Sequence, residues 1–261
     1  MNKKILTLLI SLLLTFNASA DTDGENSLSK KSNMNNKDCF PGLNKATFAL
    51  NQGLDKAIFK PVAKVYRRLP SPVKSATGNV VNNLSSLVTI PNNILQGDFE
   101  KAGVNSIRLL VNSTIGILGI FDLSSSLGIA EYEKEDYGQT LASWGVGSGC
   151  YIVLPVLGPS TLRDTLGTIP NFMGGDAWYN ITVTKDTHHF TDFDYYASRG
   201  TSALDFRAKN IESLDNLEKN SMDFYASIKS LYLQDRQQKI LNSKKIIETQ
   251  DDSDWETIDN N

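Results

Sequence analysis

The stretch Gly138–Gly167, GQTLASWGVGSGCYIVLPVLGPSTLRDTLG, poses the main question of this 261-residue sequence. It is apolar and rich in glycine, and Arg163 and Asp164 are its only charged residues. It also holds a cysteine, two prolines and the sequence Gly158–Thr161, which contains Ser160. Such a stretch is compatible with a catalytic loop, with a buried core or with a surface that contacts lipid.

A second apolar stretch has the same character. Residues Ile107–Ala130 read IRLLVNSTIGILGIFDLSSSLGIA, which is long enough to cross a bilayer. Arg108, Asn112 and Asp122 interrupt it, and its glycines weaken a helix, so a simple transmembrane helix is not expected. Two interpretations stay open: a buried hairpin, or a segment that lies in or against a membrane.

The start of the chain is typical of a secretory signal peptide. Lys3 and Lys4 precede an apolar run of about a dozen residues, which is too short for a membrane span. Ala18-Ser19-Ala20 then matches a cleavage site, so the signal peptide is predicted over residues 1–20. The polar residues 21–37 predict a disordered leader, residues 38–245 a helical domain, and residues 246–261 an acidic disordered tail.

Charge and cysteine content narrow the classes of protein. The formal net charge is −3, so no basic bias suggests nucleic acid as a partner. Cys39 and Cys150 are an even pair in a chain predicted to be exported, which suggests a disulfide; two buried free thiols are the alternative. A bridge of that span would stabilise the fold by roughly 4–5 kcal/mol in the chain-entropy account.

The apolar periodicity predicts a mainly α fold. The polar C-terminal part, 205–245, fits one long helix or two shorter ones, and prolines are expected to end helices. Helices are predicted over 43–59, from Pro61 to Arg68, over 73–88 with a stop at Pro91, and from Asp98 as N-cap; the best strand signals are Tyr151–Leu154 and Ile181–Thr184.

The sequence contains no recognisable catalytic motif around Ser160 or the two histidines. Ser160 lies outside a G-x-S-x-G elbow, and Gly158–Thr161 with the residues that follow favours a turn and a helix N-cap. His188 and His189 are the only histidines; with Asp192 and Asp194 they could form a loop metal site, but an aromatic-rich surface loop is preferred.

Two charged clusters are candidate sites: an acidic run over 131–136 and a basic cluster over 60–74. Acid–base work is possible for the acidic run, but a solvated turn before a helix is favoured. Basic side chains on one helix face could hold lipid phosphates or a partner's acids, or could simply be solvated. No phosphate loop, dinucleotide fingerprint or zinc motif is present, so no cofactor, metal or catalytic residue is predicted. The acidic run comprises Glu131, Glu133, Glu135 and Asp136, and the basic cluster comprises Lys60, Lys64, Arg67, Arg68 and Lys74.

Three stretches together carry a family resemblance: Phe40–Leu69, Asn92–Gly119 and Glu135–Gly167. In order and spacing they resemble the MlaA/VacJ family of outer-membrane lipid-asymmetry proteins. The resemblance implies a mainly α, ring-like bundle of amphipathic helices around an amphipathic channel, seated at the periplasmic face of a Gram-negative outer membrane. It also implies passage of stray phospholipid to a periplasmic lipid-carrier protein, with a trimeric porin as partner and no enzymatic step.

The same resemblance proposes site residues. Glycines at 116, 145 and 147 are expected to be sensitive to bulky or charged substitution. Helix geometry alone does not say which face of each helix points inward. The channel or rim candidates are Asn44, Phe48, Asn51, Gln52, Asp55, Arg108, Asn112, Asp122 and Gln139; the membrane-belt candidates are Ile115, Ile117, Leu118, Ile120, Phe121, Trp144, Val153 and Leu154.

The sequence departs from the family pattern in three respects. Family members carry a lipid-accepting cysteine after the signal peptide, whereas Asp21 stands here, so anchoring by the apolar belt alone is expected. Cys39 and Cys150 occupy positions where proline is more usual, and their joint change favours a disulfide. The match is poor after about residue 170. An envelope scaffold and an exported lipid hydrolase remain the alternative functions.

Overall fold

A computed structural model describes residues 37–170, 179–180, 183 and 191–253. Within them the fold is mainly helical, with one two-stranded antiparallel sheet, which confirms the predicted class. In chain order the elements are α1 (Pro41–Leu54), a π-helical turn (Asp55–Phe59), α2 (Lys60–Arg67), α3 (Ser71–Gln96), α4 (Phe99–Thr114), α5 (Leu123–Ser126), α6 (Tyr137–Ser143), β1 (Tyr151–Leu154), β2 (Gly158–Thr161), α7 (Leu162–Pro170), α8 (Asp192–Lys209), α9 (Ile211–Asn220) and α10 (Phe224–Ser253).

The first helix continues through Pro61, where a break was predicted. A π-helical turn precedes the proline, and the Lys60 N–H donates to the carbonyl oxygen of Asp55, five residues back. Proline lacks an N–H, and its ring crowds the carbonyl four residues earlier. The wider turn gives that ring space, so α1 and α2 form one continuous helical segment. The predicted break over Leu69–Pro72 is confirmed, since α3 begins at Ser71.

Helix α3 also passes a proline, and the predicted stop at Pro91 is wrong. Polar contacts hold the following turn in place. Asn92 donates from Nδ2 to the Val88 carbonyl over 2.8 Å, and Asn93 Oδ1 accepts from Asn105 of α4 over 2.9 Å. The helix ends instead at Gly97, whose φ of +83° is the left-handed conformation that glycine adopts without strain.

Acidic or hydroxyl side chains cap several of the helices at their N-termini. Asp98 accepts a hydrogen bond from the Lys101 N–H over 3.0 Å, which confirms the predicted start of α4. The same device begins α5 at Asp122 and α6 at Asp136, and Thr191 begins α8 with a reciprocal capping box.

The sheet contains one confirmed and one unexpected strand. Tyr151–Leu154 forms β1 as predicted and pairs with Gly158–Thr161, which was predicted as a turn. The turn lies earlier, where Val156 has a φ of +65°. The predicted N-cap holds at Thr161, whose Oγ1 accepts from the Asp164 N–H over 3.2 Å. The second predicted strand, Ile181–Thr184, lies outside the described residues apart from Val183.

The N-terminal end of the described chain is fastened to this sheet. Cys39 and Cys150 form a disulfide, as predicted. Asp38 makes a parallel bridge to Tyr151, and the Cys39 N–H donates to the Tyr151 carbonyl over 3.0 Å. The disulfide and the parallel β-bridge therefore join the segment before α1 to the start of β1.

One long helix or two shorter ones were predicted over 205–245. In the structure this range holds the end of α8, all of α9 and most of α10. Asn210 ends α8 by donating from its side chain to the Phe206 carbonyl over 2.8 Å. Asp223 begins α10 by accepting from the Ala226 N–H over 3.0 Å. Helix α10 extends to Ser253, into the predicted tail. The predicted signal peptide, nearly all of the leader and residues 254–261 lie outside the described residues.

Helices α3 and α4 are amphipathic in the reverse of the usual sense. Their buried side chains are mostly amides and other polar groups, while Ile94, Leu95, Ile107 and Leu110 are exposed. A helix of a water-soluble domain normally buries its apolar face. No helix in the described part of the chain is long and apolar enough to cross a membrane. The buried polar residues of the two helices are Asn83, Ser86, Thr89, Asn92, Asn93, Lys101, Asn105, Arg108 and Asn112.

Candidate functional site

The polar face of α3 lines two adjoining spaces, which we call the inner cavity and the outer groove. Asn79 and Asn82 line both of them, so the polar surface runs from one to the other without a break. The inner cavity has a volume of about 20 Å³, which suits about one water, and the outer groove about 410 Å³. The inner cavity is also lined by Asn83, Ser86, Arg108, Asn112, Asp122, Glu131 and Lys134, and the outer groove by Tyr66, Arg67, Lys74, Ser75, Gly78, Asp205, Ala208 and Lys209.

Arg108, Asn112 and Asp122 meet at the inner cavity. Arg108 donates from Nη2 to both carboxylate oxygens of Asp122 at 3.2 Å, and Asn112 donates to Asp122 Oδ1 over 3.0 Å. Asn112 Oδ1 in turn accepts from the Ser124 N–H over 3.0 Å. Burial opposes the charge of Asp122, but hydrogen bonds from Ser125 and Asn112 and the positive charge of Arg108 outweigh it and hold the pKa of Asp122 below its ordinary value.

Lys134 is a cavity residue that the sequence analysis missed. Its Nζ donates to the Asn82 carbonyl over 3.0 Å and to the Ser86 hydroxyl over 3.2 Å. Burial lowers the pKa of Lys134. Lys134 lies within the acidic run that was interpreted as a solvated turn, and Glu135 beside it is buried and accepts from Gln96 over 3.0 Å. Only the fold, which places this run against α3, identifies Lys134.

The outer groove lies between α2, α3 and α8. Tyr66 donates from its hydroxyl to Asp205 over 3.3 Å, and burial raises the pKa of Tyr66. Lys74 donates to the Arg67 carbonyl over 3.2 Å. A third space of about 210 Å³ continues along α3 and α8 and shares Asp205 and Lys209 with the groove.

The predicted basic face is largely engaged within the chain. Lys60 pairs with Asp215 of α9 at 2.8 Å, and Arg67 pairs with Glu212. Their counterions are therefore the protein's own acids rather than those of a partner. Lys74 lines the outer groove, and Lys64 and Arg68 are exposed.

The chain between α4 and α5 presents an apolar surface, which we call the hairpin tip (Ile115–Phe121). The side chains of Ile115 and Leu118 are 68% and 64% exposed, and the other belt candidates of this segment are exposed too. Ile117 and Leu118 have φ values of 51° and 55°, which are strained for such side chains. Asn79 of α3 donates to the Ile120 carbonyl over 3.1 Å, so the tip is attached beside the inner cavity.

The remaining belt candidates, Trp144, Val153 and Leu154, differ in their exposure. Trp144 is 59% exposed, and its indole N–H donates to the Leu95 carbonyl over 2.9 Å. An exposed ring with a satisfied N–H suits a membrane interface. Val153 is 3% exposed and Leu154 half-buried, so Val153 does not belong to the exposed apolar surface.

The channel candidates of α1 lie away from the inner cavity. Asn44 is buried, donates to the Tyr151 carbonyl and accepts from the Val153 N–H, both at 3.0 Å. Asn51 makes the equivalent pair of contacts to the Leu154 carbonyl at 2.9 Å and the Val156 N–H at 2.8 Å. These two amides attach α1 to the β-hairpin.

The other channel candidates also make contacts within the chain. Gln52 donates to Glu218 over 2.6 Å, and Asp55 accepts two hydrogen bonds from Arg207, at 2.7 and 2.9 Å. The ring of Phe48 packs against those of Phe224 and Tyr225, with centroids 5.5 and 5.3 Å apart. Gln139 is buried and donates to the Lys134 carbonyl over 3.1 Å.

Of the catalytic candidates, the structure describes Ser160, Asp192 and Asp194, and each makes a contact within the chain. Ser160 is buried and its hydroxyl lies 3.0 Å from that of Thr165. His188 and His189 lie outside the described residues. Asp194 accepts from the Thr191 N–H over 2.8 Å in the capping box that begins α8. Asp192 accepts from the Tyr179 hydroxyl over 2.6 Å. In the described ranges no group of three or more histidine, cysteine or carboxylate side chains could hold a metal ion.

Comparison with known proteins identifies the family. The family model described as "MlaA lipoprotein" matches residues 36–239. A protein of Rickettsia prowazekii (strain Madrid E) is 32% identical over 195 residues, which are 74% of each chain. The intermembrane phospholipid transport system lipoprotein MlaA of Haemophilus influenzae is 29% identical over 252 residues, covering 95% of this chain and 94% of that protein.

A solved structure agrees with these relatives. It is described as "Structural basis for maintenance of bacterial outer membrane lipid asymmetry", and it superposes with a TM-score of 0.64 at 26% sequence identity. The superposition covers 78% of this chain and 99% of that one. The chain therefore belongs to the MlaA lipoprotein family.

Proposed function

We propose that this protein transports glycerophospholipid at the periplasmic face of a bacterial outer membrane. It would take mislocalised phospholipid from the outer leaflet and pass it on, without chemical change. The observation that carries the proposal is the polar face of α3, which lines the inner cavity and the outer groove and lies beside the exposed apolar hairpin tip. The name of the Haemophilus influenzae relative, an intermembrane phospholipid transport system lipoprotein, supports it.

The arrangement suits an amphiphile. A phosphodiester in bare hydrocarbon loses its hydration at high cost, and polar groups along a path lower that cost. The α3 face offers asparagine amides and serine hydroxyls, which can both donate and accept hydrogen bonds. The acyl chains would remain in hydrocarbon beside the exposed side chains of Ile117, Leu118 and Phe121. The path supplies no energy, so it can only relax a gradient.

The partners follow from the same proposal. A periplasmic lipid carrier would receive the lipid, and a trimeric outer-membrane porin would hold the protein in place. The exposed apolar surface of the hairpin tip and of Trp144 would contact the inner leaflet. No cofactor takes part, because moving a lipid breaks no bond.

The first experiment identifies the lipid. The protein would be extracted from its outer membrane in mild detergent, and the bound lipid analysed by mass spectrometry before and after incubation with labelled phospholipid. Intact bound phospholipid without lyso products is expected. Lyso products that disappear in Ser160→Ala would favour a hydrolase instead, and no lipid above a control membrane protein would favour a scaffold.

A variant pair tests the path itself. Asn82→Leu places an apolar side chain where the inner cavity meets the outer groove, so phospholipid transfer between vesicles should fall severalfold. Asn220→Leu changes an exposed amide at the end of α9 and serves as the control. Equal transfer by both variants would contradict a passage along α3.

A further inference from the structure

We infer that Lys134 is a binding residue for the phosphate of a glycerophospholipid head group, held where the inner cavity opens into the outer groove. This inference rests on the proposed function and specifies which group of the lipid is held, and where. Lys134 lies against α3 and lines the polar inner cavity. A residue of a solvated turn would face water instead.

The two cationic side chains that line the inner cavity, Arg108 and Lys134, differ in whether they contact an acid. Arg108 and Asp122 also line the cavity, and they pair with each other at 3.2 Å. Among the residues that the structure describes, Lys134 donates to neutral oxygens alone, the Asn82 carbonyl and the Ser86 hydroxyl. Across the described residues no carboxylate lies within 4.0 Å of its ammonium group. It is therefore the cation of this cavity that lacks a counterion in contact.

An ammonium group in such a position favours an anion. Lys134 is partly buried, and charges that lose hydration are normally paired, because the lost hydration must be offset. The desolvation that lowers the pKa of Lys134 reflects this cost, and the charge of Glu131, which is exposed at the same cavity, opposes the lowering. A phosphate oxygen in contact with Nζ would offset the cost further, since hydrogen bonds between charged groups are the stronger kind.

The space and the neighbouring donors fit a phosphate. The inner cavity, at about 20 Å³, admits one oxygen-sized group, while the outer groove, at about 410 Å³, has room for the rest of the head group. Asn79 and Asn82 stand at the junction of the two spaces. The Asn82 side chain is exposed and makes no hydrogen bond within the described part of the chain, so its amide is available to a ligand.

The test measures binding of defined probes to the full chain in detergent micelles by isothermal titration calorimetry. The probes are dihexanoylphosphatidylethanolamine, dihexanoylglycerol, which lacks the phosphate, and inorganic phosphate. Lys134→Met should weaken binding of the phospholipid about tenfold and leave that of dihexanoylglycerol unchanged. Lys134→Arg should retain most of the affinity, and Lys45→Met, at an exposed position of α1, should match the wild type.

A second variant keeps the test decisive if Lys134→Met does not fold. Glu131→Gln removes the carboxylate that competes with a phosphate for Lys134, so the phospholipid should bind more tightly. The exposed position of Glu131 makes the substitution compatible with folding. Unchanged affinity in Glu131→Gln would overturn the inference.

The remaining outcomes are distinct. If the wild type and Lys134→Met bind the phospholipid equally, Lys134 is not a phosphate ligand, although the proposed function stands. If inorganic phosphate binds as tightly as the phospholipid, the site belongs to free phosphate rather than to a lipid. If the wild type binds no phospholipid in any form, the proposed function itself fails.

Discussion

Arg236 of α10 donates from Nη2 to Asp164 Oδ1 of α7 over 2.9 Å, with both side chains largely buried. The same arginine reaches Asp136 of α6 at 2.6 Å, and Tyr232, one turn earlier, donates to Asp164 over 2.6 Å. One polar face of α10 therefore holds the two helices that flank the β-hairpin. Ion pairs and a tyrosine hydrogen bond therefore attach this part of the long C-terminal helix to the rest of the fold.

Arg236→Met should destabilise the fold. It would leave the Asp164 carboxylate buried with Arg163 as its remaining cationic partner among the described residues, and removing one partner of a buried pair costs about 3–5 kcal/mol. Because Arg163 remains, we expect a loss near 3 kcal/mol in the free energy of unfolding, measured by urea titration. Lys239→Met removes a more exposed pair with Asp235 and should change it by less than about 1 kcal/mol.

The loss caused by Arg236→Met should depend on pH. Burial opposes the charge of Asp164, but Arg236 outweighs it and holds the pKa of Asp164 below its ordinary value of 3.8. A carboxylate with a lowered folded-state pKa stabilises the fold above pH 4 or so, and this contribution is lost as the pH falls through the folded-state pKa. The difference between wild type and Arg236→Met should therefore shrink below about pH 4. A constant difference from pH 7 to pH 3 would contradict this explanation.

The disulfide should be a major source of stability. Cys39 and Cys150 are 111 residues apart, and a loop of that length corresponds to about 4–5 kcal/mol in the chain-entropy account. Reduction with dithiothreitol should lower the unfolding midpoint of the wild type. The double variant Cys39→Ser/Cys150→Ser should start from the lower midpoint and no longer respond to the reductant. A wild-type midpoint that is unchanged by full reduction would show that the bridge is dispensable.

The exposed apolar side chains of the hairpin tip should determine membrane affinity rather than folding. Leu118 is 64% exposed, so Leu118→Glu removes little internal contact. It would prevent burial of that side chain in hydrocarbon, which is favourable by about 1.5–3 kcal/mol for leucine, and would add a charge. Binding to phospholipid vesicles in a flotation assay should fall at least tenfold, with the unfolding midpoint nearly unchanged.

Met222→Glu provides the control for Leu118→Glu. Met222 is fully exposed in the short segment between α9 and α10, away from the hairpin tip in sequence. Its substitution should leave vesicle binding as in the wild type. If both variants lose binding equally, the effect reports added negative charge and not the position of the apolar surface.

Local chemistry was the part of the fold that the sequence could predict. Asp98 before an apolar period, the apolar run Tyr151–Leu154 and the pair Cys39 and Cys150 each act through neighbouring backbone or one covalent bond. The stop at Pro91 was wrong and the continuity of the helical segment through Pro61 was missed, because contacts with another helix and a π-helical turn decide whether a proline ends a helix. A local sequence pattern does not reveal such contacts.

The site was only partly predictable, for a related reason. Arg108, Asn112 and Asp122 belong to one hairpin, and the structure brings them together. Asn44 looked equally suitable on a polar helix face, yet that face packs on β1. Lys134 was hidden in an acidic run. Periodicity gives a polar face but not what the face packs against, and that is what distinguishes an internal contact from a cavity wall.

Two glycines that looked alike in the sequence should respond differently to substitution. A Cβ at Gly116 would lie 2.4 Å from the Phe121 carbonyl oxygen and 2.6 Å from that of Asn112, both of them backbone atoms. Gly147 has no other group within 4 Å of that position. Gly116→Ala should therefore lower the free energy of unfolding by about 2 kcal/mol, whereas Gly147→Ala should change it by less than about 0.5 kcal/mol. Both were expected to be sensitive when only their place in apolar stretches was known. Equal tolerance in urea titrations would mean that the chain between α4 and α5 shifts to accept a methyl group, and that its close packing against Asn112 is not required for the fold.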